Sequence, residues 1–425
     1  MMTLPALMGG AWNVLLGFVF FYPLLMSCLW SIGAVVFYFL YERRPHRIVS
    51  RPPALADYPL VAVLVPCFNE EANARETITA LMELRYPNFE VLAINDGSTD
   101  RTRETLDSLA AEFPRLRVIH HLQNQGKAVG LNTAAQLTNA EILVGVDGDA
   151  RLDPWSLHWL VRHFEAPSVG AVTGNPRVRT RSSFLGRIQV GEFSSTIGLI
   201  KRAQRTIGLV FSVSGVIAAF RRSALQAIGF WSPDKLTEDV DITWRLHLAH
   251  WQVRFEPRAL CWILMPETYG GLWKQRLRWA TGGLQVAFAY WRKLWWQPRL
   301  WPVFVEYFLS MLWATCIGLL VFYRLADLVL FRVDLQSVPI LLIGWTGLVL
   351  GTICLVQIGV GMWLDRPYDQ RLAKNFFWMI WYPAIYWMLV ASTAVCALPA
   401  LLMRESGERA KWNSPDRGLA PDQDR

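Results

Sequence analysis

The stretch Glu141 to Ala150, EILVGVDGDA, carries the pattern most suited to chemistry. Ile142, Leu143, Val144 and Val146 read as a strand buried on both faces, and the run stops at Asp147, Gly148 and Asp149. In open α/β sheets ligands bind beyond the carboxyl ends of the strands. Two carboxylates at that place suit a divalent cation holding a phosphorylated ligand. A polar turn leaving a strand makes the same pattern, so the rest of the chain has to decide. Other polar clusters also follow apolar runs. Leu60 to Val65 leads into Pro66, Asn69 and Glu70; Glu90 to Ile94 leads into Asp96 and Asp100; Val118 and Ile119 precede Gln125, Gly126 and Lys127. Caps and turns account for each cluster singly. Independent caps, however, need not carry Asp96, Lys127, Asp147 and Asp149 to one crevice.

The elements that position these residues alternate. Helical stretches over 70–84, over 102–112 and after Lys127 separate the apolar runs, which predicts an α/β fold with a parallel sheet and the loops gathered at one edge. Neither G-x-G-x-x-G nor G-x-x-x-x-G-K-[ST] stands at the first turn, which counts against a dinucleotide or P-loop site. Farther on, Asp153 and Pro154 suit a helix start, and Phe184 to Arg205 is an amphipathic helix able to pack on protein or lie on a membrane. Phe211 to Phe220 reads as a strand broken at Ser214 and Gly215, where a ligand can approach the backbone closely. Thr237 is the expected N-cap of a helix that opens on Glu238 and Asp239.

Composition adds a membrane. Of 425 residues 53% are hydrophobic, 18% are charged and 21 are Trp, and the apolar residues concentrate before residue 45 and after 300. Ala11 to Tyr41 is expected to span once. Glu42, Arg43, Arg44, Arg47 and Arg51 follow, placing the next part in the cytoplasm. The expected order is therefore a spanning helix (1–44), a linker (45–59), a catalytic domain (60–270), an interface helix (271–300), membrane and interface helices (301–403) and a cytoplasmic tail (404–425). Within the third part, 302–331 and 338–364 are long enough to cross. Pro383 and Pro399 interrupt 376–403, which is expected to be a broken element that returns the basic tail to the cytoplasm. The net charge of +8 fits anionic lipid or an anionic donor. No basic block interleaved with aromatics points to nucleic acid. Six scattered cysteines suit neither a zinc site nor a disulfide framework.

VPCFNE at 65–70, NDGSTD at 95–100, NQGKA at 124–128, DGD at 147–149 and TED at 237–239 resemble the family-2 glycosyltransferases. QRLRW at 275–279 matches the Q-x-x-R-W signature of their processive members. The resemblance implies a glycosyltransferase A (Rossmann-like) cytoplasmic domain with amphipathic interface helices, embedded on transmembrane helices. By it, Pro66, Asn69, Glu70, Asp96, Lys127, Asp147, Asp149 and Arg278 bind the donor, with Asp96 on the uridine base and Asp149 on Mg²⁺ or Mn²⁺. Asp239 is the base that deprotonates the acceptor hydroxyl, while Ser214, Gly215, Glu238 and Trp279 face the acceptor. The tail around Trp412 and Arg417 resembles a gating loop. TGNPRVRTRS at 173–182, VSGVIAAFRRSAL at 213–225 and PRALCWILMPET at 257–268 resemble the branch that polymerises N-acetylglucosamine. That branch implies UDP-GlcNAc as donor, β-1,6 linkage, a growing polysaccharide threaded across the bacterial inner membrane, a small membrane accessory subunit and cyclic di-GMP activation. Hyaluronan, chitin and cellulose synthesis share the central motifs. A single-sugar transfer to a lipid carrier and a non-catalytic nucleotide receptor are the competing readings.

Overall fold

The computed structural model describes residues 4–43, 52–331, 345–405 and 407–410. Helix α1 (Leu4–Phe37) runs through Pro23 into a π-helical turn, Tyr38–Glu42. The α/β domain then follows as β1 (Val61–Cys67), α2 (Ala74–Met82), β2 (Phe89–Asp96), α3 (Thr102–Glu112), β3 (Leu116–His121), α4 (Lys127–Gln136), β4 (Ile142–Val146), β5 (Arg151–Leu152), α5 (Ser156–Val161) and β6 (Val169–Val178). Two helices, α6 (Phe184–Glu192) and α7 (Leu199–Thr206), are joined by a π-helical stretch, Phe193–Gly198. The domain closes with β7 (Ile217–Arg221), α8 (Arg222–Ile228), α9 (Glu238–Leu248) and β8 (Gln252–Ile263). After it come α10 (Tyr269–Trp295), α11 (Trp301–Phe331), α12 (Trp345–Asp365), a 3₁₀ stretch (Leu372–Trp381) and α13 (Tyr382–Leu402).

Eight strands form one sheet in the order β3-β2-β1-β4-β7-β6-β8-β5. Val61 to Val65 of β1 and Ile142 to Val144 of β4 have no exposed surface, as continuous apolar runs require when helices cover both faces. The expected parallel sheet holds for β3-β2-β1-β4. Beyond β4 it fails, because β7 is antiparallel to both β4 and β6. The chain leaves β6 into α6 and α7 without a crossover and returns from the same side, which reverses the next strand. The order turns back between β1 and β4, so the loops after these two strands part and leave a crevice. The expected strand over 211–220 is also shorter: 211–216 is irregular, and a bridge between Ser214 and Ile217 closes a tight turn before β7.

Among the described residues, four helical stretches are long and apolar enough to cross a bilayer: Asn13–Glu42, Pro298–Phe322, Trp345–Asp365 and Leu372–Leu402. Val19, Trp313, Ala391 and Ala394 pack α1, α11 and α13 together. The last stretch breaks at Tyr382, while Pro399 lies within α13. Both ends of α13 lie against the α/β domain and its interface helix. Tyr386, fully buried, sits 5.7 Å from the Arg276 guanidinium of α10, and Arg404 Nη2 donates to the Asp234 carbonyl at 3.3 Å.

Buried charges tie these helices to the domain. Arg202 of α7 donates from Nε to Glu42 at 2.6 Å and from Nη2 to Asp365 at 2.9 Å. Arg177 of β6 pairs with the same Asp365, and Arg181 pairs with Asp369 at 2.5 Å. Arg177 therefore does not face solvent as a run of surface arginines would; it is 1% exposed.

Candidate active site

Lys127 opens α4 just after Gly126, whose φ of +92° belongs to glycine. Its Nζ donates to Asp147 Oδ1 at 2.5 Å and to the Gly215 carbonyl at 3.0 Å, and lies 3.2 Å from Glu238 Oε1. Burial works to lower the Lys127 pKa, but Asp147 and Glu238 outweigh it and hold the ammonium above its usual range. The Gly215 N–H in turn donates to Asp239 Oδ2 at 3.3 Å. One glycine, through its N–H and its carbonyl, thus joins the lysine of the first half of the domain to the carboxylate of the second. Leu131, Val213, Phe220 and Trp231 wall the pocket that Lys127, Gly215, Glu238 and Asp239 line.

The three acids differ in character. Burial and the adjacent Glu238 push Asp239 up to about 6, whereas Glu238, despite its burial, is held below the ordinary carboxylate range by Lys127 and Arg278. Burial and Asp147 push Asp149 up to about 7. Asp239 is therefore the more basic of the TED pair, as a proton acceptor in the pocket needs to be.

Helix α10 delivers Arg278 to this place, where its charge acts on Glu238 and Asp239. Gly282 makes the approach possible: a Cβ there would lie 2.5 Å from Thr237 Cγ2. Thr237 stands at the expected N-cap position of α9, but its side chain makes no capping hydrogen bond. Its side chain is turned instead into the α9–α10 contact. Arg278 Nη1 donates to the Leu236 carbonyl at 3.2 Å. The Arg276 guanidinium stacks 4.3 Å from the centre of the Trp279 ring and pairs with Glu192 of α6 at 2.7 Å. Neither Arg276 nor Glu192 stands out in the sequence, because a charged pair between two amphipathic helices has no local pattern.

Asp96 ends β2 beside the loop that leads to Lys127. Its carboxylate is 0% exposed, accepts from the N–H groups of Gln125 (3.0 Å) and Gly126 (2.8 Å), and pairs with His121 at 2.8 Å. It shapes the loop that presents Lys127. Glu70 is likewise buried; its N–H donates to Thr102 Oγ1 at 2.7 Å and its carboxylate accepts from Asn73. Asn69, in the left-handed region at φ 56°, accepts from the Thr99 N–H at 2.9 Å. These two residues brace the β1 loop on the β2 loop. Pro66 lies within β1, paired with Ile94.

Ser214 accepts from Lys201 Nζ at 2.5 Å. Sequence reasoning passed over that lysine among the charges of an amphipathic helix. Trp412 and Arg417 lie outside the described residues. The tail leading to them is at the site's rim: the Ala410 N–H donates to the Pro233 carbonyl at 2.9 Å, and a side chain on Gly126 would strike the Ala410 carbonyl.

Known proteins share this architecture. The chain covers 99% of a mannosyltransferase from Pyrobaculum calidifontis, solved with GDP-Man and Mn²⁺, at a TM-score of 0.61 and 20% identity over 88% of the present chain. It is 33% identical over 94% of its length to the poly-beta-1,6-N-acetyl-D-glucosamine synthase of Staphylococcus epidermidis, spanning 98% of that protein. Against the synthase of the same name from Staphylococcus aureus strain COL it is 35% identical, again over 94% and 98%. Residues 59–282, the α/β domain through the start of α10, match the family described as "Glycosyltransferase like family 2". The chain belongs to glycosyltransferase family 2, as a transferase with a glycosyltransferase A fold mounted on apolar helices and similar over nearly its whole length to poly-β-1,6-N-acetyl-D-glucosamine synthases.

Proposed function

We propose that the protein is an inverting, processive N-acetylglucosaminyltransferase that extends β-1,6-linked poly-N-acetylglucosamine from UDP-GlcNAc on the cytoplasmic side of the inner membrane and passes the product outward. The observation that carries this reading is the meeting of Lys127, Asp147, Glu238 and Asp239 around the Gly215 peptide at the sheet's switch point. The sugar and the linkage are supported by the similarity to poly-beta-1,6-N-acetyl-D-glucosamine synthases over nearly the whole chain.

The donor set fits a hard divalent cation. Asp147 and Asp149 offer carboxylate oxygens only, and among the described residues no third His, Cys, Asp or Glu joins them. Such a half-shell suits Mg²⁺ or Mn²⁺ completed by diphosphate oxygens and water. Asp149 would hold the ion, which when bound neutralises charge on the departing UDP. Lys127 and Arg278 lie where they add cationic support to the diphosphate, and Trp279 offers an apolar face to the acceptor sugar. Asp239 accepts the acceptor hydroxyl's proton as that oxygen forms its bond to C1 and the C1–O bond to UDP breaks. One base suffices, since UDP leaves without protonation. Single displacement inverts the anomeric centre. The tail that passes Gly126 lies where it can cover the donor.

Incubating purified protein with UDP-GlcNAc, UDP-glucose or UDP-GlcA and Mn²⁺, then digesting the product with linkage-specific hydrolases, tests the assignment. Polymer from UDP-GlcNAc alone, degraded by a β-1,6-specific hydrolase, is expected. Polymer from UDP-glucose but not UDP-GlcNAc overturns it, and a single transferred sugar overturns processivity.

A further inference from the structure

Lys201 stands on α7, the helix that packs against membrane helix α1 through contacts such as Ala203 on Gly33. It is 9% exposed, and among the described residues it has no ion-pair partner. Its Nζ reaches two hydroxyls, Ser214 Oγ at 2.5 Å and Thr173 Oγ1 at 3.4 Å. A buried ammonium satisfied only by hydroxyls is costly, and such groups cluster where function retains them. Burial pushes this amine down to about 7, with Asp239 the charge that draws it back up.

What Lys201 holds is the turn on which the site hangs. The Ser214 N–H donates to Thr173 Oγ1 at 2.8 Å, and the Ser214 carbonyl accepts from the Ile217 N–H at 3.0 Å. The next residue, Gly215, donates to Asp239 and accepts from Lys127. Fixing Ser214 therefore fixes the 214–215 peptide whose N–H meets Asp239, and through the closed turn the Gly215 carbonyl that meets Lys127.

We propose that Lys201 is a positioning residue for the transfer: acting through Ser214, it locks the Ser214–Gly215 turn that aligns Asp239 with Lys127, and so links an interface helix to the base. The inference rests on Asp239 being the base. No reacting atom is touched by Lys201 itself, so its removal is felt in turnover rather than in donor binding.

The test uses the full-length protein in detergent, comparing wild type with Lys201→Met, Ser214→Ala, the double variant and Asp239→Asn. Lys201→Met is expected to lower kcat at least about tenfold, with the Kd for UDP and Mn²⁺ within about twofold of wild type. Its thermal midpoint should not fall, because a well-packed apolar chain replaces a desolvated charge. Ser214→Ala should lose about as much kcat, and the double variant no more than about threefold further, since residues acting through one another are not additive. Wild-type kcat in Lys201→Met overturns the inference. So does a joint fall of kcat, UDP affinity and melting point, or failure to fold, which marks a strut; so does a double variant whose loss is the product of the single losses. Activity in Asp239→Asn instead sinks the base assignment, leaving the Lys201–Ser214 coupling to be read on its own.

Discussion

At the scale of single residues the site divides its carboxylates by surroundings. Asp239, raised to about 6 by burial and Glu238, remains charged above that pH and is protonated below it. A base must start deprotonated, so kcat is predicted to be level above about pH 7 and to fall roughly tenfold per unit below pH 6. A pH–rate profile at saturating donor checks this. Asp149 sits in the DGD loop with Asp147, where the two acids are partly buried and Asp147 helps to raise the Asp149 pKa. Asp149→Asn is predicted to abolish the Mn²⁺ dependence of UDP binding and to lower kcat/KM by more than about a hundredfold, or about 2.7 kcal/mol, comparable to the loss of an electrostatic stabiliser in other enzymes. Calorimetry with and without Mn²⁺ reads the first effect directly.

At the scale of elements, α9 carries Glu238 and Asp239 and α10 carries Arg278, and the two helices approach closely at Gly282 against Thr237. Gly282→Ala forces the helices apart just before Glu238 and Asp239. Initial rates are predicted to fall at least about tenfold while the protein stays folded, since overpacking of this kind costs about 1–3 kcal/mol. Trp279→Ala should raise the acceptor KM by up to about tenfold, the 0.5–1.5 kcal/mol typical of a lost aromatic contact, with the donor KM unchanged. Much of this arrangement was legible in the sequence. The alternation of apolar runs and helical stretches placed β1 to β4 and put Asp96, Lys127 and Asp147 at strand ends, and α3 spans the expected Thr102–Glu112. What escaped depends on tertiary contact. The antiparallel β7 follows from where α6 and α7 send the chain, and the loss of a strand at 211–216 follows from the bonds that bend Ser214 and Gly215. The bonds by which Asp96 braces the 125–126 loop were equally hidden, because a carboxylate at a strand end carries no sequence mark of which backbone groups it accepts from.

At the scale of the molecule, a catalytic sheet and apolar helices are joined by buried ion pairs rather than by a flexible tether. Asp365 at the end of α12 serves both Arg177 of β6 and Arg202 of α7, and Arg202 also holds Glu42 at the end of α1. Removing one member leaves charges buried without a partner. Asp365→Asn is predicted to destabilise the protein by about 3–5 kcal/mol, seen as a lowered thermal midpoint in detergent, where an unchanged midpoint would mean the cluster is not a tie. The same ties fix β6 and α7 relative to the apolar helices. The account as a whole turns on Asp239 as the base of an N-acetylglucosamine polymerase. Its most direct test is polymer synthesis from labelled UDP-GlcNAc by purified wild type and Asp239→Asn, with UDP binding measured on both. The prediction is no polymer from Asp239→Asn at undiminished UDP affinity; polymer at the wild-type rate from that variant would contradict it.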